Sequence, residues 1–102
     1  MAAVAPLVDA VKSRDRAAAL KLIEQRVNVN APEPDGTTAI HWAVHQDDLD
    51  LAERLIRAGA NVNAANDYGS TPMSEAAIVG NARMIEKLLN AGADVIHCRG
   101  GL

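Results

Sequence analysis

Apolar residues in this chain come in short clusters, and the clusters return at a fixed step. Leu7, Val8, Ala10 and Val11 form the first; Ala18, Ala19, Leu22 and Ile23 follow at helical spacing. Leu51, Ala52, Leu55 and Ile56 make a fuller stripe, echoed by Met84, Ile85, Leu88 and Leu89. Leu55 and Leu88 lie 33 positions apart, as do Gly36 and Gly69, Thr38 and Thr71, Ala43 and Ala76, Gly59 and Gly92, and Val62 and Val95. Stepping back 33 positions from Ala43, Leu55, Ile56, Asn61 and Val62 reaches Ala10, Leu22, Ile23, Asn28 and Val29. A period of this length marks stacked supersecondary units, each too small to bury its own apolar face.

The polar residues between the clusters keep the same beat. Pro6 suits the first turn of a helix, where its missing N–H costs nothing. Asp15 is a good N-cap for a helix from Arg16 to about Gln25. Pro32, Pro34, Asp35 and Gly36 form a turn-rich connector. Thr38 then caps a helix from Ala39 to about His45, and Asp48 caps another that Gly59 stops. Thr71 and Pro72 open a third pair, with Asn81 as the next cap and Gly92 as its stop. Asp15, Asp48 and Asn81 are themselves 33 apart, so capping and apolar stripe agree. Three helix-turn-helix units are predicted, at about 1–32, 33–65 and 66–98, with 99–102 as the start of a further one.

Gly36-Thr37-Thr38-Ala39-Ile40-His41-Trp42-Ala43 and Ala58-Gly59-Ala60-Asn61-Val62-Asn63-Ala64 resemble the two signatures of the ankyrin repeat. The resemblance covers essentially the whole chain. It implies an all-α solenoid of paired antiparallel helices, with hairpin loops projecting at about a right angle. It also implies a concave surface, made by the loops and the first helix of each unit, that binds other proteins.

The chain departs from that pattern at both ends. The first unit carries Ala5 and Val8 where the second has Thr38 and His41, and Arg26 where the others have Gly59 and Gly92. A non-glycine residue at a left-handed helix stop costs about 1 kcal/mol. Leu20 stands where Glu53 and Glu86 would face outward. The third unit has Ser74 in place of His41, and Glu75 stands at a position the resemblance makes apolar. No structural reason for Glu75 is visible in the sequence, which makes it a candidate for a functional surface or a weakened contact. After Asp94-Val95-Ile96-His97-Cys98-Arg99-Gly100-Gly101-Leu102 there is no polar capping unit. Open solenoid ends expose apolar surface, so self-association through an end containing Met84, Ile85 and Leu88 is one expectation. That expectation belongs to the reading in which the chain is a fragment of a longer array or a larger multidomain protein; the alternative is that a partner covers the open end.

Composition narrows the choice of partner. The chain is 49% hydrophobic without one Phe, and has a single Trp and a single Tyr, which suits closely packed helices. Net charge is −3, divided as +1 over residues 1–33, −3 over 34–66 and −1 over 67–102. No basic stripe exists to neutralise phosphates, which excludes a nucleic-acid partner on electrostatic grounds. Apolar runs are too short for a membrane span. The N-terminus lacks a basic n-region and an apolar h-region, so a cytoplasmic location is expected. Cys98, the one cysteine, can form neither an internal disulfide nor a multi-cysteine zinc site.

Candidate chemistry is thin. His41 and His45 are spaced as metal ligands on one helix, but there is no third ligand on a fixed element. The resemblance gives His41 a structural hydrogen-bonding role near Thr38 and the adjoining loop. Trp42 is expected to pack across units. His97 and Cys98 have the residue types of a base and a nucleophile, but no third group orients them. No metal, cofactor or catalytic set is assigned. Tyr68 differs: an aromatic at a loop tip has little core to join and suits contact with a partner.

The reading is a non-catalytic protein-interaction scaffold. Carried over by position, the resemblance implies a binding surface of Lys12 and Ser13, then Pro34, Asp35, Thr37, His45 and Gln46, then Asp67, Tyr68, Ser70, Ile78 and Val79. Its charge runs from basic through acidic to apolar with one aromatic. The expected partner is a protein with basic groups opposite Asp35 and Asp67 and an apolar anchor near Ile78 and Val79.

Overall fold

The computed structural model describes residues 6–92. The expectations for Ala5, for the segment from Asp94 to Leu102, and for the pair His97 and Cys98 lie outside those residues. Six helices follow in order: α1 (Pro6–Lys12), α2 (Arg16–Glu24), α3 (Ala39–His45), α4 (Leu49–Arg57), α5 (Pro72–Val79) and α6 (Ala82–Asn90). There is no strand among the described residues.

The predicted caps set the helix starts. Asp15 accepts from the Ala18 N–H at 3.2 Å, Asp48 from Leu51 at 3.1 Å and Asn81 from Met84 at 3.2 Å. Each satisfies a donor that the first turn leaves without an intrahelical partner. Between the helices of each pair sits a left-handed residue: Arg14 (φ 63°), Asp47 (φ 59°) and Gly80 (φ 81°). That series repeats at the same step of 33, and its members run from poorly suited Arg14 through tolerant Asp47 to the freely left-handed Gly80. Arg26 is left-handed as expected, at φ 62°.

Helices pair as α1 with α2, α3 with α4 and α5 with α6, and the pairs stack. The first helices α1, α3 and α5 form one layer; α2, α4 and α6 form the other. Because α3 has neighbours on both sides, Ala39, Ile40, Ala43 and Val44 are all fully buried. The outer helix α4 buries Leu51, Ala52 and Leu55, with Ile56 half-buried. The predicted stripe on α2 is shallower: Ala19 is buried, while Ala18, Leu22 and Ile23 are half-buried. Leu20 is half-buried as well.

One expectation is corrected. Met84 and Leu88 do not form an exposed end face, for they are 1% and 0% exposed. They lie one helical turn apart and point into the core cluster, on the side of α6 that packs on α4 and α5. The large apolar side chains left in solvent near that end are Ile78 and Leu89, 79% and 40% exposed. Met84 and Leu88 therefore offer no exposed surface, while Ile85 beside them is half-buried.

Candidate functional site

Two connector loops meet beside α3. In the first, Glu33 N–H donates to the Thr37 carbonyl at 2.8 Å, and Gly36 N–H to that of Glu33 at 2.8 Å. The Asp35 carboxylate accepts from the Thr37 N–H at 3.0 Å. In the second, Asn66 N–H donates to the Ser70 carbonyl at 3.1 Å, and the Asn66 side chain accepts from the N–H groups of Tyr68 and Ser70. The loops are tied together by Asp67 N–H on the Asp35 carbonyl at 2.7 Å and by the Asn66 amide on the Thr37 hydroxyl at 3.1 Å. This approach explains Gly36. A Cβ there would sit 3.2 Å from Asn66 Cα, and the backbone already holds φ 88°.

His41 fixes the loops against the helices. Its ring is 3% exposed, and Nδ1 accepts from the Thr38 N–H at 3.0 Å and faces the Thr38 hydroxyl at 2.9 Å. With Nδ1 an acceptor, Nε2 carries the proton and donates to the Ser70 carbonyl at 2.9 Å. Both nitrogens are thus spent on structure, across two successive helix pairs. The role assigned to His41 by resemblance is the one the geometry shows.

Trp42 does span successive pairs. Its indole N–H donates to Glu33 Oε1 at 3.0 Å, while Lys12 from α1 sits 5.5 Å from the ring centroid and 2.7 Å from Glu33 Oε2. That hydrogen bond, and the negative charge of Glu33 behind it, hold the Lys12 pKa above its ordinary range. His45 meets the Trp42 ring edge-on at 5.7 Å and turns Nδ1 to Glu75 Oε1 at 3.2 Å. Ser70 donates to the other Glu75 oxygen at 2.8 Å. Glu75, unaccounted for by its own segment, therefore joins α3, the second loop and α5.

These elements enclose a pocket of about 220 Å³ lined by Asp35, Thr37, His41, Trp42, His45, Asn66, Tyr68 and Glu75. Tyr68 is 81% exposed at its rim. The Thr37 N–H, and then its hydroxyl, hold the Asp35 carboxyl below the usual carboxylate range, so the pocket carries a fixed negative charge. Among the described residues, no cluster of three or more His, Cys, Asp or Glu is placed to hold a metal.

Of the residues singled out in the sequence, Asp35, Thr37, His45 and Tyr68 converge here. Lys12 joins through Trp42, and Ser70 through Glu75. Asp67 flanks them, bonded to Asp35 through its backbone, and Pro34 is exposed beside Asp35. Ser13 instead closes the end of α1, its hydroxyl on the Asp9 carbonyl at 2.8 Å. The Gln46 amide donates to the carbonyls of Val11 and Lys12 at 2.9 and 3.4 Å. Gln46 also lines a different cavity, of about 320 Å³, with Arg14, Arg16, Asp47 and Asp48 among others. Ile78 and Val79 end α5 away from the pocket lining. Sequence reasoning missed Glu33 and Asn66. They are 33 apart, which was the available signal.

The protein-family comparison matches ankyrin repeats, in three copies, to residues 7–97. A search of curated proteins gave no match. Among solved structures, the ankyrin repeat domain of human ASB11 is similar, with a TM-score of 0.80 and 32% identity over 88% of this chain. The chain spans 41% of the length of that structure. In all, 389 solved chains match, so the fold alone selects no partner. With most of its length matched by the family and its helix pairs stacked in the family's manner, the chain belongs to the ankyrin-repeat family.

Proposed function

We propose that this chain is a protein-docking module whose contact surface is centred on Asp35, Thr37, His45 and Tyr68. Lys12, Pro34, Asp67 and Ser70 flank that centre, and Ile78 and Val79 extend it along α5. Ankyrin repeats generally bind other proteins. One observation carries the finer reading. Side chains from both loops, α3 and α5 converge on one pocket with Tyr68 81% exposed at its rim. A rigid amphipathic ring beside a part-apolar hollow is what interface anchors look like. Ser13 contributes by closing the end of α1, and Gln46 by holding α1 to its neighbour, rather than by contact. We read the module as non-catalytic: the buried histidine His41 has both nitrogens committed, to Thr38 and to the Ser70 carbonyl.

The test is affinity capture from a native lysate. Wild type is compared with a folded triple variant, His45→Glu, Tyr68→Ala and Ile78→Arg. A protein held by the wild type and absent from the variant supports the docking surface, provided the two melt alike. Identical captures would sink it. A second reading, in which these helices chiefly stack on further repeats, is favoured by the exposure of Ile78 and Leu89, 79% and 40%. It would then take precedence.

A further inference from the structure

We propose that the pocket between the loop tips receives an arginine side chain from the partner protein, an inference that rests on the docking reading above. Two kinds of wall make the case. Trp42 and Tyr68 supply aromatic surface, while Asp35 and Glu75 supply carboxylates from different elements. Trp42 already takes a cation within the molecule: Lys12 lies 5.5 Å from its ring and is bridged by Glu33 at 2.7 Å. The same combination of ring and carboxylate is presented to solvent at the pocket.

Local charge points the same way. Asp35 and Glu75 line the site and Glu33 holds the Trp42 indole behind it; the basic side chains beside them are Lys12, engaged by Glu33, and His45, engaged by Glu75. A docking anion would meet repulsion there. Glu75 stands 33 positions after Trp42, so an acid replaces a ring at the matching position of the next inner helix. It is held in place by His45 and Ser70. Each of its oxygens keeps lone-pair capacity for a further donor.

Arginine fits better than lysine because of its shape. A guanidinium can stack flat on an aromatic ring while its in-plane N–H groups reach carboxylates on two sides. An ammonium on a flexible stem meets one wall well and the other poorly.

The chain's one tryptophan is Trp42, so its indole N–H gives a single reporter resonance. The experiment titrates isotope-labelled protein with Nα-acetyl-arginine methylamide, and with its lysine and citrulline counterparts. Expected are a saturable displacement of the Trp42 resonance by arginine, a weaker one by lysine and none by neutral citrulline. Asp35→Asn keeps an acceptor for the Thr37 N–H but removes the charge, and should weaken the arginine probe about tenfold. Tyr68→Ala should weaken it roughly threefold. If Asp35→Asn perturbs the fold, Glu75→Gln carries the same test. Citrulline binding as well as arginine, or unchanged affinity in the charge variants, overturns the arginine assignment.

Peptides selected from a random displayed library separate this from failure of the docking reading. Arginine-bearing peptides that move Trp42 and are lost with Tyr68→Ala support both. Peptides that do so without arginine overturn the assignment alone. A library yielding nothing that perturbs Trp42 overturns both.

Discussion

The two junctions in this stack, α1–α2 against α3–α4 and α3–α4 against α5–α6, are built from different materials. At the second, a buried imidazole reaches from Thr38 to the Ser70 carbonyl, and two loops share a backbone bond and an Asn66–Thr37 contact. At the first, Val8 occupies the position matching His41, 33 residues earlier, and is 1% exposed. Apolar burial there is supplemented by Gln46 on the α1 carbonyls and by Arg16 on Asp48 and Asp50. Both junctions carry outer ties that water and salt can reach, Arg16 on Asp48 and Asp50 at the first and Lys87 on Glu53 at the second, but only the second adds a buried imidazole that bridges the pairs. A rigid pocket requires walls that do not shift. The pocket beside Asp35 and Tyr68 lies at the second junction, under the loops that His41 fixes, whereas the larger cavity beside Gln46 lies at the first.

The largest effect should come from His41→Ala. It strips the Thr38 N–H and the Ser70 carbonyl of their partner and leaves a hole in the buried ring's place. We expect a loss of about 3 kcal/mol in denaturant unfolding. Ser74 is the matching residue of the third pair. It closes only its own turn, taking the Thr71 N–H at 2.8 Å and bonding the Thr71 carbonyl at 2.8 Å. Ser74→Ala should cost about 1 kcal/mol, as loss of a cap does. Equal costs for the two would erase the distinction between a reach across pairs and a local cap.

The helix pairs were legible because cap, stripe and stop recur at one step, so each repeat checks the others. Asp15, Asp48 and Asn81 read as caps and bond as caps. What escaped notice depends on partners far away in the chain. Glu75 has its explanation in His45, thirty residues earlier. Met84 and Leu88 read as an open face because a stripe shows which residues share a side, not what that side meets. The left-handed turns at Arg14 and Asp47 were hidden for another reason. Neither is glycine, and only Gly80, one step on, marks the conformation. Four of the docking residues converge because loop tips and inner-helix ends are brought together by the stack itself. Ser13 and Gln46, equally exposed in a positional reading, turn out to bond α1 carbonyls.

A smaller effect separates the first pair from the second at their helix stops. Arg26 and Gly59 hold matching left-handed backbones, φ 62° and 97°. A Cβ at Gly59 would meet nothing within 4 Å, so Gly59→Ala isolates the backbone cost. We expect about 1 kcal/mol lost in thermal or denaturant melts. Arg26→Gly relieves the same strain but loosens the unfolded chain. The net gain should be about 0.5 kcal/mol. A loss on Arg26→Gly would show that Arg26 has contacts outweighing its backbone.

The smallest effects belong to the outer ion pairs, and they show whether the two junctions differ in kind. Arg16 beside Asp50 holds that carboxyl below its ordinary 3.8. Lys87 beside Glu53 does the same below 4.5, from the second junction's outer helix. Since the folded-state values are depressed, their stabilisation is complete above the ordinary values. It disappears as pH falls through the folded ones. Melts taken from pH 5 downward should therefore begin to weaken near 4.5, and Asp50→Asn or Glu53→Gln should flatten that limb. Raised salt should shrink the cost of Arg16→Ala, because the pair is exposed and screened. Salt should leave the cost of His41→Ala unchanged, since its bonds are buried and neutral. If salt altered both alike, the contrast between a screened ion pair at the first junction and a buried imidazole at the second would fail.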